Sequence, residues 1–163
     1  MHAPRRELLT TVPGLDYAAL IAFLETQSDV AAAYLFGSLA QGRAAPGSDI
    51  DLAVLLRPLD ATVSLERRLQ LIEGVERCAE RRVDVVTLND APLLVRREVL
   101  RHGRLLYERD RAVRVEFEVR TGKLDADLAP MRAFFAQALF QEIRDGRFGH
   151  RRHRSGAINR IEE

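Results

Sequence analysis

The sequence is poor in the residues that staple or anchor a chain. It has one cysteine, Cys78, and no tryptophan among 163 residues. A single thiol excludes an internal disulfide and fits a reducing, cytoplasmic setting. Long apolar runs are missing too, since none approaches the ~20 residues that cross a bilayer. The opening MHAPRRELLTTVPG lacks the apolar stretch of a signal peptide. Charge of one sign is not in excess: 25 Lys and Arg against 24 Asp and Glu leave a net charge of +1. Charge alone therefore gives no ground for nucleic-acid binding. Internal repeats and low-complexity tracts are likewise absent. What is there is an ordinary globular composition, 47% hydrophobic and 30% charged. It excludes collagen-like, coiled-coil and wholly disordered chains. At roughly 150 residues per domain the length suits one domain with a tail.

Charge is less even locally. Between Arg147 and Arg154 stand Arg147, His150, Arg151, Arg152, His153 and Arg154, with no acid among them. This segment is expected to be a solvated, disordered tail, and it is the one place where RNA or another polyanion would find a basic contact.

Periodicity places the elements. Asp16 to Gln27 reads as a helix, with Leu20, Phe23 and Leu24 at helical spacing. Ala31 to Phe36 is a short apolar run ending at Gly37, as a buried strand would be. Leu39 to Ser48, punctuated by Gly42, Pro46 and Gly47, must be a loop, with room for one helical turn. Ile50 to Leu56 is a second strand, and Val83 to Leu88 a third. Between them Ser64 to Arg81 reads as an amphipathic helix with Leu65, Leu69, Ile72, Val75 and Ala79 on its apolar face. Leu93 to Arg101 looks helical, and Leu105 to Tyr107 makes a short fourth strand. Strands alternating with helices predict a mixed α/β (α+β) sheet. The last third is in conflict. Val113, Val115, Phe117 and Val119 alternate with charged residues, a period of two that favours a strand. Beyond them Leu124, Leu128, Met131, Phe135, Ala138 and Glu142/Ile143 recur at helical spacing as far as Gly146.

The chemistry is concentrated between Gly37 and Leu52, in GSLAQGRAAPGSDIDL. Asp49 and Asp51 stand two apart at the start of a strand, so both carboxylates fall on one face. Carboxylates that close repel unless a cation sits between them, and hard oxygen donors of this kind suit Mg²⁺ with phosphate oxygens. Asp84 is a lone acid inside the apolar VDVVTL run. A buried carboxylate is costly unless it is paired, metal-bound or at the sheet's working end. A neighbouring strand could bring it beside Asp49 and Asp51, and three such acids suit two-metal phosphoryl or nucleotidyl transfer. Gly37 would then let the backbone approach a phosphate, with Ser38 offering a hydroxyl and an N–H.

Gly-Ser, ten residues, then Asp-x-Asp in an apolar strand resembles the signature of the polymerase-β-like nucleotidyltransferase superfamily. The compact form here is similar to its minimal (MNT) branch, the antitoxin partners of HEPN toxins. The likeness runs from Ala31 to Tyr107, and the C-terminal third, with Asp145-Gly146-Arg147-Phe148-Gly149, shares it. It implies a small mixed-sheet core over 1–109, a helical extension over 110–149 and the basic tail over 150–163. It therefore favours helix for Val113 to Val119. It implies transfer of AMP from ATP to a tyrosine hydroxyl of a HEPN ribonuclease toxin. Asp49, Asp51 and Asp84 would hold two Mg²⁺ ions, with Asp84 also placed to act as general base. Gly37, Ser38, Arg43 and Ser48 would bind the nucleotide. The chain departs at Gln41, where many members carry Arg; Arg43 lies two residues later. That departure keeps open an antitoxin that docks without catalysis. A transferase acting on a small molecule such as an aminoglycoside is the other alternative, although the chain looks too short for the extra substrate domain.

Other residues have plainer expectations. Tyr34 belongs to the core, His102 to the surface, and Cys78 is packed and inert; no His/Cys cluster has zinc spacing. Phe134, Phe135, Leu139 and Phe140 nearly encircle one helix, which calls for a protein partner on its second face.

Overall fold

The computed structural model describes residues 12–144. The Asp145–Gly149 stretch and the basic tail lie outside the described residues. Within them the order is α1 (Tyr17–Thr26), β1 (Val30–Phe36), α2 (Gly37–Ala40), β2 (Ile50–Leu56), α3 (Leu65–Glu76), β3 (Val83–Thr87), α4 (Leu93–His102), β4 (Arg104–Glu108) and α5 (Arg111–Arg144). All four expected strands form. They make one mixed sheet in the order β3-β2-β1-β4. β1 is antiparallel to β2 and β4, whereas β2 and β3 are parallel, with α3 as their crossover.

β1 and β2 are apolar nearly throughout because both faces of the sheet are covered. On one face Ala33, Leu35, Ile50, Leu52 and Val54 pack with Leu20 and Leu24 of α1 and Leu71 and Val75 of α3. On the other, Ala31, Ala32, Tyr34, Ala53 and Leu55 pack with Val99 of α4 and Phe117 of α5. Tyr34 and Cys78 are buried, as expected.

The helix after Ser64 differs from its expected form. Ser64 does cap it, accepting the Arg67 N–H at 3.2 Å. The buried side, however, is Leu71, Gly74, Val75 and Cys78, while Leu65 and Leu69 are 72% and 49% exposed. Gly74 explains the rotation. A Cβ there would stand 2.0 Å from Phe23 Cζ, so the bare glycine is the seat of an α1 side chain and must face inward. The helix also stops at Glu76 instead of running to Arg81. Beyond it the Cys78 carbonyl accepts from Asp16 N–H at 2.8 Å, and Glu80 N–H donates to the Gly14 carbonyl at 2.9 Å.

The segment with period two is helical. Asp110 starts α5 by accepting the Val113 N–H at 3.1 Å. Its inward residues are Arg114, Phe117 and Thr121, while Val119 is 64% exposed. Alternation misleads because the charged member, Arg114, is the buried one. Its guanidinium pairs with Glu108 of β4 and, at 2.6 Å, with Glu118 one turn on. The chain divides into two compact units, one through Asp125 and one from Ala126 onward. In the second unit residues 126–144 are helical, and Met131, Phe134, Phe135 and Phe140 are between 51% and 71% exposed. Among the described residues no helix is long and apolar enough to cross a membrane.

Candidate active site

The site is built where β1 hands over to α2. β1 ends at Phe36, whose Cα partner across the antiparallel pair is Asp51. The next residue, Gly37, has φ +69°, a left-handed conformation that a side chain resists. A Cβ at this position would lie 2.0 Å from Asp51 Oδ2. Glycine here thus serves both the turn and the carboxylate beside it. On the other side of β2, the parallel register sets Asp51 opposite Asp84 of β3. Asp49 lies one residue ahead of β2. Three acids separated by up to 35 positions in the sequence therefore lie at one end of the sheet. Asp51 lies on the face shared with Ala53 and Leu55, the layer covered by α4 and the start of α5.

Electrostatics tie the three together. Asp51 is half-buried, and Asp49 and Asp84 are exposed. Burial pushes the Asp51 carboxyl above the usual carboxylate range; the negative charges of Asp84 and then Asp49 push it further in the same direction. Among the described residues no three His, Cys, Asp or Glu side chains stand close enough to hold a metal as they are placed. The donor set nonetheless fits a hard divalent cation. All its donor atoms are carboxylate oxygens, one carboxylate is half-buried, and the like charges around it are those a cation would relieve.

The residues expected to bind a nucleotide lie in the adjoining loop. Ser38 is half-buried in α2, and its carbonyl accepts the Arg43 N–H at 2.9 Å. Arg43 is exposed. Ser48 has a local task, its hydroxyl accepting the Ala45 N–H at 2.9 Å and closing the turn before Asp49. Sequence reasoning missed Glu98 of α4, which accepts the Gln41 amide at 2.7 Å and whose Oε1 lies 3.2 Å from His102 Nδ1. The separation of 57 positions between Gln41 and Glu98 left no local signal for it. His102 is at the surface, as expected. A cavity of about 220 Å³, lined in part by Leu59, Asn89, Arg96 and Phe117, lies past the far ends of β2 and β3, away from the aspartates. Arg96 is already committed there to the carbonyls of Ala91 and Asn89.

Comparison with known proteins agrees with this fold. No curated protein sequence matches the chain. Solved structures do. A toxin–antitoxin crystal structure with AMP-PNP aligns with TM-score 0.65 and 26% identity, covering 77% of this chain and 99% of that one. A crystal structure of the toxin–antitoxin MntA–HepT aligns with TM-score 0.60 and 23% identity, over 77% and 97%. A tri-AMPylated Shewanella oneidensis HEPN toxin in complex with MNT antitoxin gives TM-score 0.60 and 23% identity, over 77% and 96%. At these last two identities the likeness is one of fold. The family described as polymerase beta, nucleotidyltransferase matches residues 18–112, more than half of the chain and all of the strands that carry the aspartates. The chain belongs to the polymerase beta nucleotidyltransferase family.

Proposed function

We propose that this protein is the antitoxin of a toxin–antitoxin pair and transfers AMP from ATP to a tyrosine hydroxyl of its HEPN toxin, silencing it. The observation that carries the reading is the register that sets Asp51 opposite Asp84, with Asp49 two residues before and the Gly37 turn against the Asp51 carboxylate. Support comes from the 26%-identical neighbour, a toxin–antitoxin complex with AMP-PNP, and from a neighbour of the same fold whose HEPN toxin carries AMP groups. The exposed Met131, Phe134 and Phe135 supply an apolar surface of the kind a protein partner covers.

Each residue has a part in the reaction. Asp49, Asp51 and Asp84 are the residues that would hold two Mg²⁺ ions, whose chemistry is to neutralise charge on the triphosphate and the departing pyrophosphate. Gly37 and Ser38 would present backbone to the phosphates, with Arg43 and Ser48 in the same loop. The acceptor oxygen forms a bond to the α-phosphorus as the bond from that phosphorus to pyrophosphate breaks. The hydroxyl proton passes to the Asp84 carboxylate, which is exposed beside Asp51.

Intact mass spectrometry of the co-expressed partner after incubation with ATP and Mg²⁺ tests the reading. One or more added AMP groups, absent with the Asp49→Asn/Asp51→Asn variant, are expected. A partner that co-purifies unmodified would favour the second reading, docking without transfer. The observation behind that alternative is Gln41 itself, a neutral residue whose amide is hydrogen-bonded to Glu98 and which brings no positive charge to a phosphate.

A further inference from the structure

We infer that Glu98 is a positioning residue for the nucleotide loop, holding it to α4 through the amide of Gln41. The inference rests on the reading that this loop binds a nucleotide. Leu39 and Ala40 pack against the core and anchor the loop at its start; beyond Gln41 it has little else to hold it. Gly42 and Gly47 have φ +67° and +88°, and a Cβ on either would meet nothing within 4 Å, so the backbone there stands clear of the fold. The bond from Arg43 N–H to the Ser38 carbonyl and the Ser48–Ala45 pair tie the loop only to itself. Among the described residues, the one side-chain hydrogen bond from positions 37–49 to another element is Gln41 Nε2 to Glu98 Oε1, at 2.7 Å.

The other end of that bond is firmly placed. Val99, next to Glu98, is fully buried between α4 and the sheet. At the end of α4, Gly103 is so close that a Cβ would stand 2.3 Å from the Val99 carbonyl oxygen and 3.3 Å from that of Leu35 in β1. His102 Nδ1, one turn on, lies 3.2 Å from the same Glu98 Oε1. A rigid helix thus offers a charged acceptor to a loop whose outer part, from Gly42 to Gly47, stands clear of the fold. Because Glu98 keeps 44% of its side chain exposed, losing the bond costs the fold little.

Titration calorimetry with Mg²⁺·AMP-PNP on the whole protein separates the outcomes, with thermal unfolding run on every variant. Glu98→Ala and Gln41→Ala should each weaken binding about tenfold, the equivalent of ~1.4 kcal/mol, with the unfolding midpoint unchanged. Glu98→Gln removes the same charge but keeps an oxygen that accepts the Gln41 amide, so its affinity should stay within about twofold of wild type. The Gln41→Ala/Glu98→Ala double variant should be no weaker than either single one, as for two ends of one bond. Wild-type affinity in Glu98→Ala, equal losses in Glu98→Gln and Glu98→Ala, or additive losses in the double variant would overturn the inference. Failure of the wild type to bind the nucleotide at all would instead overturn the nucleotide site, and this inference with it.

Discussion

Replacing Gly37 by alanine asks two separable things of the fold. The first is backbone: at φ +69° an L side chain stands in the left-handed region, which costs ~1–2 kcal/mol. The second is contact. The new methyl would lie 2.0 Å from Asp51 Oδ2 and 2.9 Å from Cγ, so the carboxylate must leave its place. Holding a side chain off its rotamer costs ~0.5–1.5 kcal/mol, which brings the total to roughly 1.5–3.5 kcal/mol. Gly42 supplies the reference, because its φ of +67° is the same strain with nothing within 4 Å. Gly42→Ala should therefore show only the backbone part. In an Asp51→Ala background the cost of Gly37→Ala should fall towards that of Gly42→Ala, a coupling of ~1 kcal/mol. Urea unfolding measures all of these. In the transfer assay Gly37→Ala should lose ~10²-fold or more, since an ångström of misplacement at a reacting centre costs about that much. Equal stability losses for Gly37→Ala and Gly42→Ala would refute the contact argument. Near-wild-type transfer by Gly37→Ala would refute the placing of Asp51 at the reacting centre.

Other predictions rest on single features. Asp51 is held above its ordinary carboxylate range, so the folded state keeps its proton to higher pH than the unfolded chain, and stability falls as pH rises from about 3.9 through the folded value. Asp51→Asn, without metal, should therefore unfold at a higher temperature than wild type at pH 7, the difference closing below about pH 4; added Mg²⁺ should raise the wild-type midpoint and not the variant's. Burial raises the Cys78 thiol, which lies 3.3 Å from the Gly74 carbonyl. It should react with a thiol reagent only after denaturant is added, and prompt labelling of the native protein would contradict its packing. Arg114→Ala leaves Glu108 and Glu118 facing each other without their cation, so urea unfolding should show a loss of roughly 3 kcal/mol. A loss below 1 kcal/mol would mean that this pair is solvated well enough to do without the arginine.

What could be read beforehand follows from whether the physics is local. β1 and β2 were legible because two covered faces demand apolar runs, and VAAAYLF is one throughout and IDLAVLL one beyond Asp51. Asp49 and Asp51 were legible because a two-residue spacing fixes their face. Asp84 could be singled out as the lone acid in its run, but its seat opposite Asp51 depends on the parallel register, which no residue of β3 states alone. The α3 face was misjudged because counting apolar side chains gives a glycine no weight, whereas Gly74 is inward for want of a side chain, to admit Phe23. The start of α5 was ambiguous for the converse reason. Pattern reading treats Arg114 as outward, and only two carboxylates, one of them on another element, make it the inward residue. The Gln41–Glu98 bond is the limiting case: both residues are ordinary surface polars until α4 is laid against the end of β1. Local periodicity therefore locates the acids that carry charge, while the groups that hold the surrounding loop emerge only from the packing of elements distant in the chain.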